Sequence, residues 1–197
     1  EKFFDAYSPM TIFHLLTHTS GLSYGFLPDH IASIYRSKEI LLHSSVSLKD
    51  EVENISCCPL LFEPGRKWNY SVSTDILAYI IECAADMELE DVLESYLFKE
   101  TGIKDISFKI DESKILNLMT CYGDVDIFSK DLAIRNTDIF SNNPSLKEVN
   151  LYNTYPTNDS KFRRGGHGLF STLDAYSTFA FFLLQKSNLI LSRKSFE

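Results

Sequence analysis

The sequence predicts an α+β fold that is mostly helical, with only a few short strands. Three observations carry this. Ser47-Leu-Lys-Asp50 and Ser171-Thr-Leu-Asp174 have the spacing of capping boxes, each opening an apolar run. Ile76, Leu77, Ile80 and Ile81 recur at helical spacing, which commits one face of that helix to a core. Strand-like alternation is confined to one short segment, Ile106-Ser-Phe-Lys-Ile110.

Taken in order, Thr11 suits the N-cap of a short helix carrying Ile12, Phe13, Leu15 and Leu16, and Gly21 suits its left-handed end. A second helix is predicted over Ile31–Ile40 and a third from Ser47 to about Ile55. Pro64-Gly65 makes a strong turn. Trp68 and Tyr70 flank one residue, so in extended chain they project to the same side. Ser73 or Thr74 can cap the helix that runs to about Ala85. The next helix places Leu89, Val92, Leu93, Tyr96 and Leu97 on one face and ends at Thr101-Gly102. Its clustered acids, Glu88, Glu90, Asp91 and Glu94, read as a solvated face at the favourable end of the helix dipole. Ile115–Met119 suits a helical turn, and Asn143-Pro144 and Tyr155-Pro156 mark turns. The last helix follows Ser171 to about Gln185, with Tyr176, Phe179, Phe182 and Leu183 as its core face.

Composition narrows the function classes. A net charge of −8 opposes nonspecific nucleic-acid or anionic-membrane binding. The one basic cluster, Lys161-Phe-Arg163-Arg164, reads as a solvated loop. The longest apolar run, Phe179–Leu184, is far short of the ~20 residues of a membrane span. Of the four cysteines, Cys57 and Cys58 are adjacent and no Cys-x-x-Cys occurs. That opposes a zinc ribbon or a disulfide scaffold and favours reduced, mostly buried thiols in a cytosolic setting. His14 and His18 share a helical spacing. The intervening glutamate and third ligand of a zinc site are missing, so His18 reads as a hydrogen-bonded structural histidine and no metal or cofactor is expected. Gly165-Gly-His-Gly168 could cradle an anion, but no Lys-Ser/Thr follows, which opposes a phosphate loop.

Three segments, in order, resemble one family. They are Thr11-Ile-Phe-His-Leu-Leu-Thr-His-Thr-Ser-Gly-Leu22, Phe62–Glu82 with Tyr70-Ser-Val72 at its centre, and Gly165-Gly-His-Gly-Leu-Phe-Ser-Thr172. Together they are similar to the serine β-lactamase and penicillin-binding-protein superfamily, nearest the class C type and its carboxylesterase relatives. The resemblance implies the helical lobe of a β-lactamase/DD-peptidase-like fold, with the main antiparallel sheet largely missing. Residues 1–197 would then be a single partial domain. It makes Tyr70 the tyrosine of the second motif, places Tyr24 on a loop walling the substrate cleft, and puts Val72 where β-lactamases carry a substrate-holding asparagine. Valine cannot hydrogen-bond, which tilts the expectation toward an esterase acting on small acyl esters or amides.

The family's nucleophile is a serine three residues before a lysine, and no serine here has that partner. The third motif, Lys-Thr-Gly or His-Thr-Gly, is missing too. By family order both belong outside this chain, so the chain is expected to be an internal piece without activity of its own. An isolated phenol titrates near about 10 and is a poor base at neutral pH. Lysines from the other motifs would lower that value and let Tyr70 relay protons. A non-catalytic relative that keeps this region as a scaffold is the alternative. Oligomeric state and substrate identity stay open.

Overall fold

A computed structural model describes residues 5–43, 45–123, 147–149, 161, 163–185 and 192–196. It is predominantly helical, and its strands form two short antiparallel pairs. The turns expected at Asn143-Pro144 and Tyr155-Pro156 lie outside the described residues.

Helix α1 (Ile12–Leu16) begins as expected, with the Thr11 hydroxyl accepting from the His14 N–H at 3.3 Å. It ends sooner than Gly21. The chain turns instead at His18, which takes a left-handed conformation (φ 53°). Gly21 is left-handed as well (φ 85°), but for a different reason: a Cβ there would lie 2.2 Å from the Phe62 carbonyl oxygen. It lets the two segments touch, and the Leu61 N–H donates to the Gly21 carbonyl at 2.7 Å.

Asp29 caps α2 (His30–Ser37) by accepting from the Ala32 N–H at 2.7 Å. The helix stops short of Ile40 because Glu39 turns left-handed (φ 54°). Ser47 caps α3 (Leu48–Ser56) through the Asp50 N–H, as its sequence predicts. Helix α4 (Ser73–Ala85) departs from expectation at its start. Neither Ser73 nor Thr74 caps it; Val72 occupies the cap without a side-chain bond, and the Ser73 hydroxyl is engaged by Ser20 and Ser71.

Helix α5 (Leu89–Leu93) passes through a π turn (Glu94–Phe98) into α6 (Lys99–Thr101), which ends at left-handed Gly102. The wider turn breaks the 3.6-residue register. Tyr96, expected on the core face, is exposed, and Phe98 is buried in its stead. The predicted strand shrinks to β1 (Ile106–Ser107), and the predicted turn near Ile115 is a 3₁₀ helix over Glu112–Asn117. Strand β2 (Cys121–Gly123) pairs with β3 (Lys147–Val149), and β1 pairs with β4 (Phe170–Ser171).

Ser171 ends β4, and its neighbour Thr172 caps α7 (Leu173–Leu184), accepting from the Ala175 N–H at 3.2 Å. The expected core face holds at Phe182, which is buried, and at Phe179, which packs on the smaller cluster; it is corrected at Tyr176 and Leu183, which are exposed, while Ala175 is buried. Helix α7 is apolar nearly all round, so periodicity could not select its buried side. Two of the thiols read as buried, Cys57 and Cys83, are exposed.

The main core gathers Leu15, Leu22, Ile31, Tyr35, Leu48, Ile55, Val72, Ala78 and Phe108. A smaller cluster joins Phe98, Ile103 and Ala175. The basic cluster before the glycines is no solvated loop. Arg163 and Arg164 are both buried. Arg163 Nε donates to Glu90 at 2.9 Å, drawing one of the acids of α5 out of its expected solvated role. Arg164 donates to the Leu41 carbonyl at 2.8 Å and meets His167 Nε2 at 2.5 Å.

The glycines that follow allow close approach, as their sequence suggests. The Gly165 and Gly166 N–H groups donate to one oxygen of buried Asp75, at 3.1 and 3.2 Å. The anion they cradle is the protein's own. A Cβ on Gly165 would lie 2.0 Å from the Thr74 carbonyl oxygen, in backbone that cannot swing aside. Gly165→Ala should therefore cost about 3 kcal/mol or more. A urea midpoint equal to the parent's would contradict the packing described.

Burial, and next the Arg164 guanidinium, push the His167 imidazole down to about 4. The unfolded chain binds that proton near the ordinary value of 6.5. Stability contributed by neutral His167 is thus present above pH 6.5 and lost as pH falls toward 4. The loss should be of order 2 kcal/mol, and His167→Gln should flatten it in melts taken across that range.

Candidate active site

Residues 18–23 and 65–72 run beside one another and fix the central motif. The Gly65 N–H donates to the Thr19 carbonyl at 2.8 Å, Asn69 N–H to His18 at 2.9 Å, and Val72 N–H to Ser23 at 3.2 Å. The Asn69 amide adds a bond to the Leu22 carbonyl at 2.9 Å. Every anchor therefore comes from the segment that follows α1. Immediately after it, α4 supplies the rigid base.

On this support Tyr70 is 45% exposed and Trp68 67% exposed. The His18 ring meets both, at 5.1 Å from the Tyr70 ring centre and 6.2 Å from that of Trp68. The two aromatics thus project to a common side, as their alternation predicts. The phenol is neither sealed in hydrocarbon nor loose on the surface.

Tyr24 and Val72, named with Tyr70 from sequence, are both buried. Val72 is 0% exposed and belongs to the main core. Tyr24 is 8% exposed; its ring stacks on Phe26 at 4.9 Å and meets Tyr70 at 5.2 Å. Its hydroxyl points to the Asp75 carboxylate at 3.4 Å. Burial, then the Asp75 charge, drive the Tyr24 phenol upward, so it stays protonated and donates. Both side chains belong to the packed floor of the motif, Tyr24 in ring contact with Tyr70 and Val72 in the main core.

A line of hydroxyls runs below the motif. Ser20 meets Ser73 at 2.8 Å, Ser73 meets Ser71 at 2.7 Å, and Ser71 meets His18 Nδ1 at 3.3 Å. All three serines are fully buried, so none can act as a nucleophile toward a substrate. The histidines divide: His14 Nδ1 accepts from the Thr11 N–H at 3.3 Å, while His18 serves the hydroxyl line. Among the described residues no group of three or more His, Cys, Asp or Glu could hold a metal ion.

Asp75 was not singled out from sequence. Burial raises its carboxyl above the usual range, and the Gly166 N–H, Arg164 and Tyr24 offset part of that cost. The available signal was an acid in the first turn of α4, five residues after Tyr70, beside the apolar Ile76 and Leu77. The helix dipole alone explains such an acid, and so its long-range partners stayed hidden.

What the arrangement offers chemically is one solvent-facing phenol on a rigid base. It can accept or donate a proton, and nothing on the described surface beside it attacks a carbonyl.

Comparison with known proteins agrees with this geometry. A family model described as Beta-lactamase matches residues 1–196. The esterase EstB of Burkholderia gladioli is 32% identical over 104 residues, 50% of this chain and 26% of the esterase. The acyltransferase mokF of Monascus pilosus is 27% identical over 183 residues, 92% of this chain and 40% of the enzyme. Unliganded simvastatin synthase from Aspergillus terreus superposes with a TM-score of 0.65 at 22% identity, covering 98% of this chain and 41% of that one. A penicillin-binding protein from Bacillus halodurans gives 0.62 at 20% identity, covering 94% and 50%. The chain therefore spans half or less of the length of these relatives. With a family model matched over residues 1–196 and a helical fold shared with these structures, the chain belongs to the Beta-lactamase family.

Proposed function

We propose that this chain is the phenol-bearing helical part of a β-lactamase-related serine hydrolase acting on small acyl esters. The observation that carries the reading is Tyr70, half exposed on a base zipped by backbone bonds and packed against the buried Tyr24 ring. Relatives named as an esterase and as an acyltransferase support the acyl-ester class. Val72 supports it too. A buried valine offers no amide to a β-lactam or peptide substrate.

In the complete protein a serine hydroxyl attacks the acyl carbonyl, and the phenol relays its proton to the departing alkoxide. The ester C–O bond breaks and a serine ester forms. Water, or an acceptor alcohol in an acyltransferase, then releases the acyl group, with the phenol moving the proton in the opposite sense. The serine and its lysine are supplied from outside these residues. The exposed apolar side chains of α1 (Ile12, Phe13, Leu16) and α7 (Leu173, Phe181, Leu184) support a lobe made to lie against further structure. No described helix is long and apolar enough to cross a membrane.

The complete protein should hydrolyse short-chain acyl esters, and Tyr70→Phe should lower kcat by about 10²- to 10⁴-fold. Turnover at the parental rate in that variant would remove Tyr70 from the chemistry. A complete gene product without Ser-x-x-Lys, inert toward esters, would favour a scaffold relative.

A further inference from the structure

The phenol that the proposed function relies on has a neighbour that nothing so far explains. His18 adopts a left-handed backbone (φ 53°), which a histidine seldom takes without a reason. Its ring is half-buried and set at 44° to the Tyr70 ring, 5.1 Å between centres. The same ring lies edge-on to Trp68, at 65° and 6.2 Å. Its carbonyl accepts from the Asn69 N–H at 2.9 Å, one residue before Tyr70. One residue thus contacts the motif through backbone and ring at once.

A ring held only by hydrocarbon can rock about χ2, whereas a ring nitrogen tied to a fixed partner cannot. His18 Nδ1 meets Ser71 Oγ at 3.3 Å, and Ser71 ends the buried line through Ser73 to Ser20. Those three serines are fully buried, so the hydroxyls have no water to turn toward and must satisfy one another. The direction of the imidazole is set from below by this line. A second ring also meets Tyr70: that of Tyr24, whose own hydroxyl is tied to Asp75.

We infer that His18 is a positioning residue for Tyr70: the buried Ser20–Ser73–Ser71 hydroxyl line orients its imidazole, and the imidazole sets where the phenol oxygen lies. The inference rests on the proton-relay reading of Tyr70. It adds that the reach of the phenol depends on a polar anchor. Displacing a relay group by an ångström costs rate without costing substrate affinity, so the signature is a change in kcat with KM little altered.

Two arms test it separately. The first uses this chain's single tryptophan, Trp68, which lies against the His18 ring. Ser71→Ala removes the anchor while Ser73 keeps Ser20, and His18→Asn removes the ring while suiting the left-handed turn. Both should shift the Trp68 emission maximum and its acrylamide quenching; the remote control Ser113→Ala should not. Unchanged emission in both variants overturns the anchoring.

The second arm uses the complete protein and acyl-ester turnover. Ser71→Ala and His18→Phe should each lower kcat about 10- to 100-fold, with thermal stability measured beside it. In a Tyr70→Phe background neither should cause a further loss, because both act through the phenol. Losses that multiply in the double variants, or a parental kcat in Ser71→Ala, overturn the inference. Parental turnover in Tyr70→Phe alone sinks the relay reading by itself. The emission arm then still decides whether the ring is held.

Discussion

A buried carboxylate joins the two ends of this lobe. Asp75, at the start of α4, accepts the N–H groups of Gly165 and Gly166, ninety residues along the chain. Leaving a carboxylate in such a place without partners would cost several kcal/mol. Three donors share it here, and the third is the Tyr24 hydroxyl. The arrangement works only because position 165 has no side chain and the glycine backbone can lie on the first turn of α4. From Asp75 the order passes to Tyr24, and from the Tyr24 ring to Tyr70. The Tyr24 ring against which the exposed phenol packs is therefore tied to a carboxyl group that never meets solvent.

Arg163 and Arg164 follow the same logic. Their side chains turn inward because partners wait there: Glu90 on α5, the Leu41 carbonyl, and the imidazole of His167. Leu41 itself is left-handed (φ 62°), and its N–H donates to buried Glu51 at 3.2 Å. One left-handed residue is thus held at both of its backbone polar groups, by Glu51 from α3 and by Arg164 from the segment before the glycines. Polar bonds hold the 163–168 segment on the helices. Such bonds are directional, so they fix orientation as well as contact.

Local signals were readable from the residues and distant ones were not. Thr11 and Ser47 announce their helices because a cap is decided within four residues. Tyr70 and Trp68 announce a common side because alternation is a property of the chain itself. Ser73 looked like a cap, but Ser20 claimed its hydroxyl from 53 residues away. Arg163 and Arg164 looked solvated for want of visible partners, which lie 73 and 123 residues distant. Helix α7 misled for another reason. Its composition is so apolar that every face qualifies, and only the neighbours present select Ala175 and Phe182.

Around the exposed Tyr70 the core residues Val72 and Tyr24 and the serines 20, 71 and 73 are all buried. They settle where the phenol stands and leave open what stands opposite. A valine in the floor, in place of a side chain that reaches upward, shortens the list of contacts that a substrate can make here. At position 72 the packing is closed: the valine lies wholly within the core and presents no hydrogen-bonding side chain.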